Sequence, residues 1–260
     1  MATTQRTETA VPAGPLSAAQ LARYREDGHL TVPGVFKAEE VAAALADLEA
    51  WSAAELKRMS PAERAWYVDR GVPGLPVLRK LDQPVARRPL FRQLAAKPSL
   101  LAMVEQLIGP GLVVYFSQVF FKPPGGGGPK PVHQDNFYFG PNAPDGLVTV
   151  WLALDDATVE NGCLHYADGS NRGPVLAHEA PADRPFDLQI PEDVAAGFAM
   201  TPAPVPRGGI SFHHGNTLHQ SADNNSSRWR RACAMHYVSA GTRFVNPALD
   251  YDDSLVVAVP

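Results

Sequence analysis

Cysteine is scarce in this sequence of 260 residues, which contains only Cys163 and Cys233. Two cysteines cannot form a disulfide framework, and there is no Cys-x-x-Cys pair of the kind that binds structural zinc. This usage is compatible with a reducing cytoplasm. We therefore expect a cytoplasmic protein whose fold depends neither on disulfides nor on cysteine-bound zinc.

Long apolar runs and blocks of like charge are also absent. No stretch approaches the roughly 18 consecutive apolar residues of a membrane-spanning helix, and the first ten residues lack the apolar core of a signal peptide. The formal net charge is −4, and the charged residues do not cluster. These absences predict no contact with membranes or nucleic acid and favour a small-molecule substrate as the partner.

Glycine and proline are abundant, with 21 and 25 residues, or about 18% of the chain against roughly 12% in average proteins. Such a composition is typical of many short strands joined by turns. A chain of this length is within the range of one all-β domain. We expect a disordered N-terminal tail over residues 1–14 and a single domain over residues 15–260.

The first part of the chain has helical periodicity, and the later part has the pattern of strands. A capping box of Ser17 and Gln20 predicts a helix that ends at Gly28, and further helical stretches are predicted over residues 38–59 and 90–107. Strands are predicted over residues 113–121, 132–139, 148–154, 163–166, 209–213 and 229–238. This order predicts a mainly β fold with flanking helices, whose core is a double-stranded β-helix, the jelly roll of cupin-like proteins.

The segment between residues 172 and 206 follows neither periodicity. It is rich in proline and longer than most connections in compact domains. Loops of this kind are commonly functional, so we interpret it as a lid over a binding site.

A His-x-Asp triplet and one later histidine carry most of the chemistry. The triplet is His133, Gln134 and Asp135, and His219 follows 86 residues after His133. Residues two apart in a strand share a face, so His133 and Asp135 should point together while Gln134 points away. Two histidines and one carboxylate on one face of an octahedron leave three positions open, as in non-haem Fe(II) oxygenases. Because single His-x-Asp triplets also occur by chance, the surrounding residues decide the interpretation.

Four further motifs surround the triplet in a definite order. They are Lys122-Pro123-Pro124, Tyr138, Trp151 with the later Asn161-Gly162-Cys163-Leu164, and the group His219, Ser221, Asn224, Ser226 and Arg230. In these motifs the sequence resembles the phytanoyl-CoA dioxygenase family of Fe(II)- and 2-oxoglutarate-dependent oxygenases, from about Leu75 to Val238. One departure is Asp168-Gly169-Ser170-Asn171-Arg172, where the family usually has Pro-Gly-Ser-His-Arg. We expect this difference to affect a loop and not the iron.

The resemblance implies that His133, Asp135 and His219 bind Fe(II). It also implies that Arg230 pairs with the distal carboxylate of 2-oxoglutarate, for which a planar and permanently charged guanidinium is well suited. Arg231 is the competing candidate, but adjacent strand residues face opposite ways, and the family's spacing from His219 selects Arg230.

Four more residues are candidates for the cosubstrate pocket. Ser221 shares a face with His219 and is expected to donate a hydrogen bond to the same carboxylate. The other three fall at positions that line this pocket in relatives, namely Trp151, Gln118 and Lys80. For Lys80, a solvated position on the surface is an equal alternative.

No acidic or histidine partner lies at ligand spacing from His29, His165, His178 or His236, and His213 and His214 stand beside the strand that precedes His219. We expect most of them to be structural or solvated, namely His29, His165, His178, His213 and His236. His214, five residues before His219, is kept as a candidate pocket residue because relatives also carry histidine there.

The implied reaction is an oxidative decarboxylation coupled to attack on a C–H bond, which consumes 2-oxoglutarate and O2 and releases succinate and CO2. The presence of Asp135 favours hydroxylation, desaturation, epoxidation or cyclisation over halogenation, because related halogenases lack this carboxylate. One alternative is a cosubstrate-independent cupin-like metalloenzyme or zinc hydrolase, which would have no use for Arg230. A catalytically silent binding protein is disfavoured by the intact set of ligands.

Overall fold

The computed structural model describes residues 15–69, 77–181 and 188–260. The tail predicted over residues 1–14 lies outside these ranges. The helices are α1 (Ala18–Asp27), α2 (Ala38–Arg58), α3 (Pro61–Tyr67), α4 (Pro84–Arg87), α5 (Pro89–Ala95), α6 (Pro98–Ile108), α7 (Asp135–Phe139) and α8 (Glu192–Ala195). The strands are β1 (His29–Val32), β2 (Val68–Asp69), β3 (Val77–Leu78), β4 (Lys80–Asp82), β5 (Val113–Lys122), β6 (Lys130–His133), β7 (Leu147–Ala153), β8 (Leu164–Tyr166), β9 (Thr201–Ala203), β10 (Ile210–His214), β11 (His219–Ser221), β12 (Arg230–Val238) and β13 (Val257–Ala258).

Within the described ranges, these strands form two main antiparallel sheets and one small hairpin. The large sheet has the order β1-β10-β7-β12-β5-β13, and β4 also pairs with β5. The small sheet has the order β6-β11-β8-β9, and β2 pairs with β3. The predicted mainly β fold with flanking helices is confirmed, and its core is a jelly roll of the double-stranded β-helix type. In the part of the chain that is described, the two sheets do not close into a barrel.

Helices cover the outer face of the large sheet. Val41 and Leu48 recur at helical spacing on α2 and are buried in one core with apolar residues of α5, α6 and the sheet. Strand β12 alternates, so that Met235 belongs to this core whereas Ala232 and Ala234 pack on the inner side with residues of the small sheet. The small side chains on the inner face leave room between the two sheets.

The predicted helices are confirmed with small shifts at their ends. The Ser17 hydroxyl accepts a hydrogen bond from the Gln20 backbone N–H, and Gly28, with a φ of 82°, caps the C-terminal end of α1. The stretch predicted over residues 90–107 is divided into α5 and α6 at Pro98. No helix in the described ranges is both long and apolar enough to cross a membrane.

The strand predicted over residues 132–139 is wrong in its second half. β6 ends at His133, Gln134 is extended, and Asp135 begins α7. The backbone N–H of Asn136 donates to a carbonyl in the loop between β10 and β11 (2.8 Å). A carboxylate is favourable in the first turn of a helix, and the aromatic residues that follow do not alternate with polar ones. The triplet therefore spans the end of a strand and the start of a helical turn.

Candidate active site

Three side chains that can bind a metal meet between the two sheets. His133 ends β6 and lies directly opposite His219, the first residue of β11. The Nε2 atoms of these two histidines lie 3.9 Å and 3.8 Å from Asp135 Oδ1. The ligand atoms of the three buried residues all lie within 4.8 Å of one another. They are close enough to share one metal ion.

Hydrogen bonds to the backbone orient both imidazoles. His133 Nδ1 lies 2.8 Å from the Pro131 carbonyl, and His219 Nδ1 lies 2.9 Å from the Thr217 carbonyl. Because a carbonyl only accepts, Nδ1 carries the proton in each ring and Nε2 keeps its lone pair for a metal. Burial lowers the pKa of His133 well below its ordinary value and the pKa of His219 to about 3, so both rings are neutral at pH 7.

The second oxygen of Asp135 is held by a polar row of the large sheet. Oδ2 accepts hydrogen bonds from Thr149 Oγ1 (2.5 Å) and His213 Nε2 (3.0 Å), and His236 Nδ1 lies 3.6 Å away. Thr149 pairs with His213 on one side and with His236 on the other, so the three stand in one row across β10, β7 and β12. Of the two expected environments, structural or solvated, His213 and His236 have the structural one, because both are buried and contact this carboxylate network.

The same row influences the charge of Asp135. Burial would raise the pKa of its carboxyl, but the electrostatic influence of the neighbouring His219 and His236 rings and the hydrogen bond from His213 outweigh that effect and hold the pKa well below its ordinary value. Asp135 is therefore a carboxylate at neutral pH, and the cluster offers two neutral nitrogens and one anionic oxygen.

A cavity of about 710 Å³ opens from this cluster along the inner face of the large sheet. Ala234, on the inner face of β12, lies in register with Trp151 and Gln118 and adds little volume to the floor. All five residues predicted to bind the cosubstrate line this cavity, namely Lys80, Gln118, Trp151, Ser221 and Arg230.

Arg230 is a buried cation in the wall of the cavity. Its side chain is only 2% exposed, its guanidinium lies 5.4 Å from the centre of the Trp151 ring, and its Nε has no hydrogen-bond partner among the described residues. Burial lowers its pKa to about 10, which still leaves it charged at pH 7. Arg231 points to the other face, where it binds Asp155 through two nitrogens (2.8 and 3.0 Å) and Glu49 through a third (3.1 Å). Arg230 is thus the arginine that faces the cavity.

Asp82 holds two of the predicted residues in place and was not predicted to belong to the site. It accepts hydrogen bonds from Gln118 Nε2 (2.7 Å), Lys80 Nζ (3.3 Å) and the Tyr67 hydroxyl (2.9 Å). The Lys80 side chain is only 12% exposed, so the solvated alternative is wrong. The two-residue spacing of Lys80 and Asp82 is the signal in the sequence that could have indicated this role.

A family model described as phytanoyl-CoA dioxygenase (PhyH) matches residues 24–232. The chain belongs to this family. Phytanoyl-CoA dioxygenase domain-containing protein 1 from Mus musculus is 28% identical to it, over 89% of this chain and 93% of the mouse protein. The phytanoyl-CoA dioxygenase family and its structural neighbours are Fe(II)- and 2-oxoglutarate-dependent oxygenases, which use O2 as the oxidant.

Two solved structures from nogalamycin biosynthesis share the fold. The non-heme alpha ketoglutarate-dependent carbocyclase SnoK is 25% identical, with a TM-score of 0.72 over 95% of this chain and 97% of SnoK. The epimerase SnoN, in complex with Fe3+, alpha ketoglutarate and nogalamycin RO, is 26% identical, with a TM-score of 0.66 over 93% and 94% of the two chains.

The residues of this chain fit the two groups that the phytanoyl-CoA dioxygenase family uses. Two neutral imidazoles and one carboxylate are a donor set suited to Fe(II). The buried Arg230, with an Nε that no described residue satisfies, fits a dianionic cosubstrate in the same cavity.

Aromatic rings line another part of the cavity. Phe116, Tyr138 and Phe139 face it from β5 and α7, and Tyr251 reaches it from the C-terminal segment. The Tyr251 ring packs against Phe116 and Phe139 with centroids 5.2 Å apart in each pair. The motifs of the sequence contain no signal for Tyr251, because its segment lies beyond the last predicted strand.

Residues of the insert between 172 and 206 form hydrogen bonds with Gln134, the middle residue of the triplet. Gln134 turns away from the cluster, donates through Nε2 to the Pro174 carbonyl (3.1 Å), and accepts through Oε1 from the Leu176 N–H (2.8 Å). Its backbone N–H donates to His178 Nε2 (3.0 Å). None of the described residues of the insert lines the cavity, so its observed contacts differ from those of the predicted lid.

His214 was a candidate pocket residue, and the structure places it elsewhere. Its Nε2 lies 3.0 Å from Asp145 Oδ1, and its Nδ1 accepts from the Asn216 N–H. Strand alternation directs His213 towards Asp135, whereas His214 does not line the cavity.

Proposed function

We propose that this protein is a hydroxylase of a small-molecule substrate, with Fe(II) bound by His133, Asp135 and His219 and with 2-oxoglutarate bound by Arg230. The observation that carries the proposal is the buried Arg230 guanidinium in the cavity that also contains the ligand cluster. A buried cation without a carboxylate partner lowers the stability of the fold unless an anionic ligand binds it and balances its charge. A cosubstrate-independent metalloenzyme or a zinc hydrolase would have no use for this arginine.

The cavity residues divide the task of holding the cosubstrate. The fork of Arg230 binds the distal carboxylate, and Ser221, on the strand that starts with His219, donates a hydrogen bond to it. Trp151 packs beside the guanidinium, and Ala234 leaves space for the carbon chain. Lys80 and Gln118, both held by Asp82, complete the polar wall.

Bound Fe(II) supplies the redox chemistry by which one oxygen atom of O2 enters the substrate C–H bond and the other enters succinate, with release of CO2. The protein orients the reactants and keeps the site dry. Asp135 occupies the position at which halogenases lack a carboxylate, which supports hydroxylation over halogenation. A cavity of this size suits a drug-sized molecule, and the rings of Phe116 and Tyr251 offer it an apolar wall.

An anaerobic titration of the metal-free protein with Fe(II) and then 2-oxoglutarate tests this proposal. We expect a weak visible charge-transfer band that requires both additions, and slow succinate release once air is admitted. If the protein binds Fe(II) but no band develops with 2-oxoglutarate, the cosubstrate assignment is wrong, and a cosubstrate-independent metalloenzyme becomes the better proposal.

Replacing Ala234 by leucine should selectively block the cosubstrate. The added carbons would occupy the cavity space between Trp151 and Gln118, and overpacking against a bound cosubstrate would cost about 1–3 kcal/mol. We expect the affinity for 2-oxoglutarate to fall about tenfold or more, while the affinity for Fe(II) alone stays unchanged. Isothermal titration under anaerobic conditions measures both, and an unchanged 2-oxoglutarate affinity would contradict this placement.

A further inference from the structure

Asp135 offers its two oxygens to different partners. Oδ1 faces the Nε2 atoms of His133 and His219, at 3.9 Å and 3.8 Å. Oδ2 faces away from them and accepts hydrogen bonds from Thr149 Oγ1 and His213 Nε2. An oxygen that already accepts two hydrogen bonds has little capacity left for a metal ion.

The hydrogen-bond directions around His213 follow from the chemistry of its partners. Because the Asp135 carboxylate only accepts, His213 Nε2 must carry the proton, and Nδ1 must therefore accept. The donor to Nδ1 is the Tyr166 hydroxyl (3.0 Å), whose oxygen in turn accepts from Ser211 Oγ (2.9 Å). All four side chains are buried, so water does not compete for these bonds. In this series of hydrogen bonds, Ser211 donates to Tyr166, Tyr166 donates to His213, and His213 donates to Asp135.

Thr149 gives the same oxygen a second directed bond. Its hydroxyl donates to Asp135 Oδ2, so its oxygen is free to accept from His236 Nδ1, which lies 2.8 Å away. Two neighbouring strands of the large sheet therefore hold one carboxylate oxygen in place. The register of β10, β7 and β12 determines this arrangement, since His213 and His236 each pair directly with Thr149.

We propose that His213, oriented by Tyr166, is a positioning residue that keeps Asp135 bound to the metal through a single oxygen. A carboxylate that bound through both oxygens would occupy one more coordination position and leave two open instead of three. The cosubstrate and O2 together need three. The inference rests on the proposed function for its consequence in turnover, whereas its effect on metal binding can be measured without 2-oxoglutarate.

Four variants test the role of His213. His213→Phe keeps a ring of similar shape and removes both hydrogen bonds, while His213→Gln keeps an amide donor for Asp135. Tyr166→Phe removes only the hydroxyl that orients His213. His29→Phe is the matched control. His29 lies on β1 and pairs with His213 of the neighbouring strand β10, but its ring binds Asp168 (2.9 Å) instead of Asp135.

Fe(II) affinity is measured anaerobically by competition with a colorimetric chelator, and Co(II) absorption, whose intensity falls as the coordination number rises, reports the ligand geometry. Loss of a partner of a metal ligand typically weakens metal binding by about 10–100-fold. We expect a loss of this size and weaker Co(II) absorption in His213→Phe, a smaller loss in Tyr166→Phe, and substantial recovery in His213→Gln. His29→Phe should bind Fe(II) like the wild type.

Wild-type Fe(II) affinity and Co(II) absorption in His213→Phe would overturn the proposal, as would an equal loss in His29→Phe. Should His213→Phe fail to fold, as judged by circular dichroism, Tyr166→Phe decides: unchanged Fe(II) affinity and an unchanged Co(II) spectrum in that variant also overturn it. A wild-type protein that binds Fe(II) normally but forms no complex with 2-oxoglutarate would refute the proposed function and leave the positioning role of His213 intact.

Discussion

Replacing His219 by alanine should abolish both tight Fe(II) binding and succinate release. The change removes one of three ligands and leaves His133 and Asp135, which cannot hold Fe(II) firmly alone. Loss of a residue that only hydrogen-bonds a metal ligand typically weakens metal binding by about 10–100-fold. For loss of a ligand itself, we expect Fe(II) affinity to fall by more than about 100-fold. Metal content after dialysis and substrate-independent succinate release under air measure the two effects.

His165→Ala is the matched control for this variant. His165 lies on β8, directly opposite Gln220 of β11, and its Nδ1 contacts the Cys163 carbonyl at 3.3 Å, so it belongs to the same small sheet without facing the cluster. It should keep iron and succinate release near wild-type levels. Iron-dependent succinate release that persisted in His219→Ala would mean that another histidine is the ligand. His213 would then be the first candidate, since its ring lies 4.3 Å from that of His219.

The sequence was sufficient to predict side chains whose positions depend on local spacing. The two-residue alternation of β12 separates Arg230 from Arg231, and the structure places them on opposite faces as expected. The same rule placed His133 and Asp135 together, although the chain leaves the strand between them and Asp135 begins a helical turn. The prediction of proximity was therefore correct, and the prediction of a continuous strand was not.

Side chains that depend on the register between distant strands could not be predicted in this way. Thr149, His213 and His236 stand in one row because β7 lies between β10 and β12, and no spacing along the chain encodes that neighbourhood. Tyr251 reaches the cavity from a segment without regular periodicity. A single sequence thus indicates which residues can take part in the chemistry, whereas their supporting partners follow from the tertiary structure.

Replacing Arg230 by methionine should weaken 2-oxoglutarate binding sharply without weakening the fold. Removing one partner of a buried charged pair typically costs about 2–5 kcal/mol, so we expect the affinity for 2-oxoglutarate to fall at least about 30-fold. Fe(II) affinity should not change. Because burial depresses the pKa of Arg230 from its ordinary value to about 10, its charge is disfavoured in the folded state at every pH below about 10. The cosubstrate-free variant should therefore melt at the same temperature as the wild type or higher.

Arg231→Met should have the opposite effects on stability and on 2-oxoglutarate binding. Arg231 is held by Asp155 and Glu49 on the outer face, so its loss should lower the melting temperature slightly and leave 2-oxoglutarate affinity unchanged. Thermal melts at about pH 7.5, where both arginines are charged, and anaerobic titrations with 2-oxoglutarate distinguish the two variants. Equal losses of cosubstrate affinity in both would show that Arg230 does not hold the distal carboxylate, whereas opposite effects on stability and binding are what a buried cation that binds an anionic ligand requires.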